Sequence, residues 1–117
     1  MIRIYGSSDV KMNNIAGVLY AFGYDYFRRN NSSFEVELYR IDEWTIRMRI
    51  VSAVFETMNL YERHRKVWDV LADVTEDAVI DLTSTVLVTP AEKLERGSSL
   101  KFDKDKPEGV TVELYRQ

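Results

Sequence analysis

The chain reads as one α+β domain, and three observations carry that reading. Two segments, 34–39 and 44–50, alternate apolar and polar residues with the period of a half-buried strand. Two longer stretches, 10–27 and 59–74, repeat apolar residues at three-and-four spacing, the period of an amphipathic helix. The order along the sequence is helix, strand, strand, helix, strand, short helix, which predicts a three-stranded mixed sheet with helices on one face. A short strand precedes this unit, and a hairpin over 97–117 follows it as an extension.

At the amino-terminal side, Ile2 and Ile4 alternate with Arg3 before Gly6-Ser7-Ser8, as in a short strand. Either Ser8 or Asp9 caps the helix that follows, in which Val10, Ile15, Val18, Leu19, Phe22 and Tyr26 form the apolar stripe. Gly17 and Gly23 each weaken it by roughly 1 kcal/mol relative to alanine, so tertiary packing must hold it. Arg28 and Arg29 suit the negative end of its dipole, and the polar run of residues 30–33 ends it.

In the hairpin, a turn near Asp42 sets Glu37 opposite Arg47 and Glu35 opposite Arg49 on a solvated face. Phe34, Val36, Leu38, Trp44, Ile46, Met48 and Ile50 then point inward. The second helix begins at Asn59, with Glu62 three residues on as its capping-box partner, and carries Leu60, His64, Val67, Trp68, Leu71 and Val74 on one stripe. Thr75-Glu76-Asp77 breaks it. Residues 79–88 are rich in β-branched side chains and read as a strand. Thr89-Pro90 opens a short helix through Leu94, with Glu92 at its third position. The tail reads as two short strands around residues 104–109, the second alternating Val110, Val112 and Leu114 against Thr111, Glu113 and Tyr115.

The bulk properties exclude several classes. A chain of 117 residues is long enough for its own core, and 45% hydrophobic with 30% charged residues is ordinary for a globular protein. The formal charge of −3 supplies no global field toward nucleic acid or an anionic membrane. Without cysteine there are no disulfides, thiolate metal sites or thiol nucleophiles, in keeping with a reducing compartment. No apolar run is long enough to span a bilayer and no signal peptide is evident, so the expected location is cytoplasmic and no membrane partner is expected.

Ser52-Ala53-Val54-Phe55-Glu56, then Arg63-His64-Arg65, Leu71 and Thr89-Pro90-Ala91-Glu92 together resemble the BolA family over residues 34–94. That family's fold is itself similar to the type II KH arrangement. The resemblance implies partnership with monothiol glutaredoxins through a shared iron–sulfur cluster. One ligand would be a histidine at the start of the third strand, the other a histidine or cysteine from the loop between the first two. Ile80 or Asp81 stands at the first position here, and Ile41-Asp42-Glu43 forms the loop. Carboxylates are poor substitutes for nitrogen and sulfur donors. The glycine the family places after Phe55-Glu56 is replaced by Thr57. The fold is expected to carry over without cluster ligation, and no cofactor is expected.

No nucleophile with a base and no glycine-rich phosphate loop occurs, so the expected function is non-enzymatic, a regulator or adaptor acting through protein contacts. Arg47, Arg49, Arg63, His64, Arg65 and Lys66 are the candidate contact residues. A solitary histidine without metal-ligand partners suits a structural role on its helix. As a basic face, the five cations would instead serve nucleic acid, although no Gly-x-x-Gly loop is present. The terminal strands either extend the sheet or pair between two chains in a homodimer.

Overall fold

A computed structural model describes residues 1–27, 33–95 and 97–114; Arg28, Arg29, residues 30–32 and Tyr115 lie outside them. The architecture is α+β, with five strands in one mixed sheet rather than three. The strands are β1 (Ile2–Tyr5), β2 (Glu35–Asp42), β3 (Thr45–Val51), β4 (Leu82–Val88) and β5 (Val110–Leu114), in the spatial order β4-β3-β2-β1-β5. β1 runs parallel to β2 and antiparallel to β5, β2 and β3 form the antiparallel hairpin, and β3 is parallel to β4. Both terminal strands thus extend the sheet within one chain.

The expected inner face holds except at one residue. Phe34, Val36, Leu38, Ile46, Met48 and Ile50 are buried, joined by Ile2 and Ile4 of β1. Trp44 is 72% exposed, because the turn is Glu43-Trp44 and not the three residues before it. That displacement moves the register by two. Glu37 faces Arg49 and Tyr39 faces Arg47, so the predicted partners are corrected while each residue keeps its side of the sheet.

Two helical runs cover the inner face. α1 (Val10–Val18) is capped by Asp9, whose carboxylate accepts the Met12 N–H at 2.9 Å, and passes through a π-turn (Leu19–Gly23) into α2 (Tyr24–Phe27). The wide turn shifts the helical phase, so Met12, Ile15, Ala16, Leu19, Tyr24 and Phe27 all face the sheet, whereas Val10 and Phe22 of the expected stripe face outward. At Gly23 a Cβ would lie 2.9 Å from the Phe34 ring, so this glycine permits the close approach of helix and strand.

α3 (Leu60–Val70) has the predicted capping box, with Asn59 and Glu62 exchanging side-chain-to-backbone bonds. It is rotated from the expected stripe: Arg63, Val67 and Val70 face inward, while Leu60 and Trp68 face outward. The helix ends as expected before Thr75-Glu76-Asp77, through a 3₁₀ turn over Leu71–Asp73. Glu76 then opens a separate helix, α4 (Glu76–Asp81), whose two acids favour the positive end of the helix dipole, so the third predicted strand shortens to β4. Thr89, Pro90 and Glu92 open α5 (Pro90–Lys93) with the expected capping box.

The largest correction concerns the tail. In place of the hairpin's first strand stands α6 (Ser98–Asp105), and it packs on the opposite face from the other long helices, so helices cover both faces of the sheet. Phe102 inserts among Tyr5, Tyr39, Val51, Val86 and Val88 as a second, smaller core. The Tyr39 hydroxyl donates to the Phe102 carbonyl at 2.7 Å.

Candidate functional site

The α6 face contains the densest charged cluster. Arg49, 1% exposed, donates through Nε and Nη2 to Glu37 Oε1 at 2.9 and 2.6 Å and reaches Asp103 on α6. Its guanidinium lies 4.6 Å from the Phe102 ring centroid. Lys106 bridges Glu37 and Asp103, each at 3.3 Å, and the Tyr5 hydroxyl donates to Glu37. Burial pushes the Glu37 and Asp103 carboxyls up, but the hydrogen bonds and charge of Arg49, with Lys106, outweigh it and hold both below the ordinary carboxylate range. Every strong donor therefore has an acceptor, and the cluster joins α6 to the sheet.

The opposite border of the sheet is built differently. Arg63 extends under α3 and satisfies three backbone carbonyls: Met58 and Leu87 at 3.1 and 3.0 Å and Phe55 at 2.9 Å. It also donates to Glu92 at 2.6 Å, and that hydrogen bond, with the Thr89 N–H, depresses the Glu92 carboxyl. One arginine thus ties the Ser52–Thr57 turn, α3, the end of β4 and the α5 cap together. On the outer flank of α3, Leu60, Tyr61, His64, Arg65 and Trp68 share one side by helical spacing. Leu60 is 67%, Tyr61 71% and Trp68 37% exposed. The His64 Nδ1 lies 3.3 Å from the Thr85 hydroxyl, which places this flank along β4. As the terminal strand of the sheet, β4 has β3 on one side and no strand on the other among the described residues.

The six predicted contact residues do not form one face. Arg47 and Arg49 lie beneath α6, Arg47 pairing with Asp105 at 2.6 Å, whereas Arg63, His64, Arg65 and Lys66 belong to α3 across the sheet. Only His64, Arg65 and Lys66 reach the outer side of α3; Lys66 sits 5.5 Å from the Tyr26 ring centroid. Reading Leu60 and Trp68 as core concealed the exposed aromatic flank, although their spacing with Tyr61 was visible.

The positions to which the resemblance assigns cluster ligands do not fit such a group. Asp81 ends α4, buried, with its carboxylate held below its usual range by hydrogen bonds from Arg40 and Lys11 at 2.9 and 3.1 Å. Arg40 binds Asp9 as well, so Asp81 fastens α1 and α4 to β2. Asp42 accepts the Trp44 N–H within the hairpin turn, which lowers its carboxyl. Ile80, the alternative, offers no donor.

No family model, curated protein or solved structure matches this chain. No helix among the described residues is long and apolar enough to cross a membrane.

Proposed function

We propose that the chain is a non-enzymatic, BolA-like adaptor that binds a partner protein along the outer flank of α3 and the adjoining border of β4. The observation that carries this reading is the exposed row Leu60, Tyr61 and Trp68 beside a strand that, among the described residues, has no neighbouring strand on one side. Aromatic side chains of this kind supply large contact area with few rotatable bonds. Short of Leu87, whose carbonyl already accepts from Arg63, the open side of the strand offers backbone donors and acceptors in register. A short extended segment is therefore the occupant that fits, its backbone pairing with β4 and alternate side chains resting on α3.

The fate of the charged groups supports contact over catalysis. Glu37, Asp81 and Arg63 are each neutralised and hydrogen-bonded by structural partners. The element order α1, α2, β2, β3, α3, α4, β4, α5 contains the order that the resemblance implies, with α4 as an added helix before β4. A monothiol glutaredoxin, the partner it also implies, would on this reading bind without a shared cluster.

Selection of a random library of extended peptides on the full chain tests the proposal. Enriched peptides should protect β4 amides from hydrogen exchange and bind about tenfold more weakly, or worse, to Tyr61→Ala and Trp68→Ala, as expected for truncated aromatic anchors. Peptides that bind both variants as tightly as the parent would place the surface elsewhere.

A further inference from the structure

On the other side of β4, away from α3, a cavity of about 320 Å³ opens between the sheet and α6. Its wall comprises Thr45 and Arg47 of β3, Thr83, Ser84, Thr85 and Val86 of β4, and Lys101 and Phe102 of α6. The composition has one sign: two cations and four hydroxyl residues, and no carboxylate in the wall. We infer that this cavity is a binding site for the phosphate group of a small phosphorylated molecule.

Local geometry determines which groups are available. Arg47 and Ser84 are paired in the β3–β4 register and so stand side by side on the α6 face. The register shifts between Ile46, facing Leu82, and Arg47, facing Ser84, so Thr83 is the extra residue of a bulge. A bulge leaves its extra residue outside the ladder and re-aims it, a device common beside binding sites. Thr83 and Ser84 make no side-chain hydrogen bond among the described residues. The Thr45 hydroxyl is engaged by Asp42 and that of Thr85 by His64 across the sheet, so these two shape the wall rather than bind.

Arg47 places only Nη1 on Asp105 and the Tyr39 hydroxyl, leaving the other edge of its fork without a protein acceptor among the described residues. Lys101 is exposed and makes no ion pair among them. A planar fork, an ammonium and two hydroxyls match the several acceptor oxygens of a tetrahedral phosphate. The volume lies at the lower end of the ~300–1,000 Å³ typical of small-molecule sites, which favours a compact ester over a polymer. Asp105, half-exposed on α6, is the internal competitor for Arg47.

Amide NMR of the full chain at constant ionic strength tests the site, with inorganic phosphate, phosphoglycolate and sodium chloride as separate titrants. The expected result is saturable shifts at Thr83, Ser84 and Lys101 with both phosphates and none that saturate with chloride. Phosphoglycolate binding more tightly marks an ester as the source, and equal affinities mark free phosphate. Lys101→Gln, at an exposed position, should weaken binding about tenfold, the size expected for one charge-assisted contact. Asp105→Asn should strengthen it severalfold by releasing Arg47. Shifts that track chloride, or an affinity unmoved in both variants, would overturn the site. So would saturation of these amides by a short single-stranded DNA but by neither phosphate.

Discussion

The two faces of the sheet are held by different physics. Beneath α1, α2 and α3 lies a contiguous apolar core that includes Phe27, Phe34, Met48 and Phe55, stabilised by area removed from water at roughly 25 cal/mol per Å². Beneath α6 lies a small cluster in which Tyr5, Tyr39, Val51, Val86 and Val88 surround Phe102, bordered by the Glu37, Arg49, Asp103 and Lys106 charges. Burying ions carries a desolvation cost that their attraction offsets only when the geometry is good. The apolar face therefore supplies the stability, and the ionic face supplies a fixed position for α6. The second arrangement is more sensitive to its exact partners and to pH.

Four substitutions or conditions sharpen that contrast. Phe55→Ala, which empties a fully buried site on the apolar face, should cost about 3–5 kcal/mol in urea unfolding. A loss below about 1 kcal/mol would mean that the core does not depend on close packing there. Arg49→Met alone should cost about 3 kcal/mol, because Glu37 is left buried beside one lysine, whereas Glu37→Leu with Arg49→Met should fall within about 1 kcal/mol of the parent. Equal losses in the single and double variants would show that the pair itself stabilises the fold.

Acid should act on the α6 face. The Glu37 and Asp103 carboxyls have folded values below their ordinary ones, so their contribution is complete above about pH 4.3 and disappears as the pH falls through the lower folded values. Burial lowers the Lys106 ammonium, but Glu37 and Tyr5 outweigh it and hold it above its ordinary value. Its contribution is complete below about pH 10.4 and lost at higher pH. Protection of the α6 amides from hydrogen exchange, relative to the intrinsic rate at each pH, should accordingly fall below pH 4 before that of β2 and β3; a simultaneous fall would merge the two faces into one unit. The smallest effect is expected at Asn59→Ala, about 1 kcal/mol by thermal unfolding, from loss of a solvent-side cap.

What the sequence made legible follows from the range of each interaction. Capping boxes at Asn59 and Thr89 lie within four residues and were readable as written. Strand alternation identified the faces of β2 and β3, and a register error of two preserved parity, so the paired residues stayed on their predicted sides and only Trp44, taken into the turn, left its own. The α6 helix was hidden because the residues it turns to the sheet, Ser99, Phe102, Asp103 and Lys106, have helical spacing but only one apolar member. Similarly, Val79 and Ile80 suggested a strand where two acids at the start of α4 indicate a helix. On α3 the apolar stripe was misplaced because Arg63, an arginine, takes the buried position. Its burial depends on carbonyls at Phe55 and Leu87 that only the tertiary fold brings together.

The placement of β1 has a consequence for the order of assembly. Ile2 pairs with Val36 on one side and with Leu114 on the other, so an early strand of the chain is completed by a late one. During synthesis the apolar hairpin core has the shorter loops and can close first, while the far side of β1 waits for α6 and β5 to emerge. A ribosome-bound intermediate with β2 to β4 folded and β1 open along one edge is the expected species, and its exposed edge is where misassembly would begin.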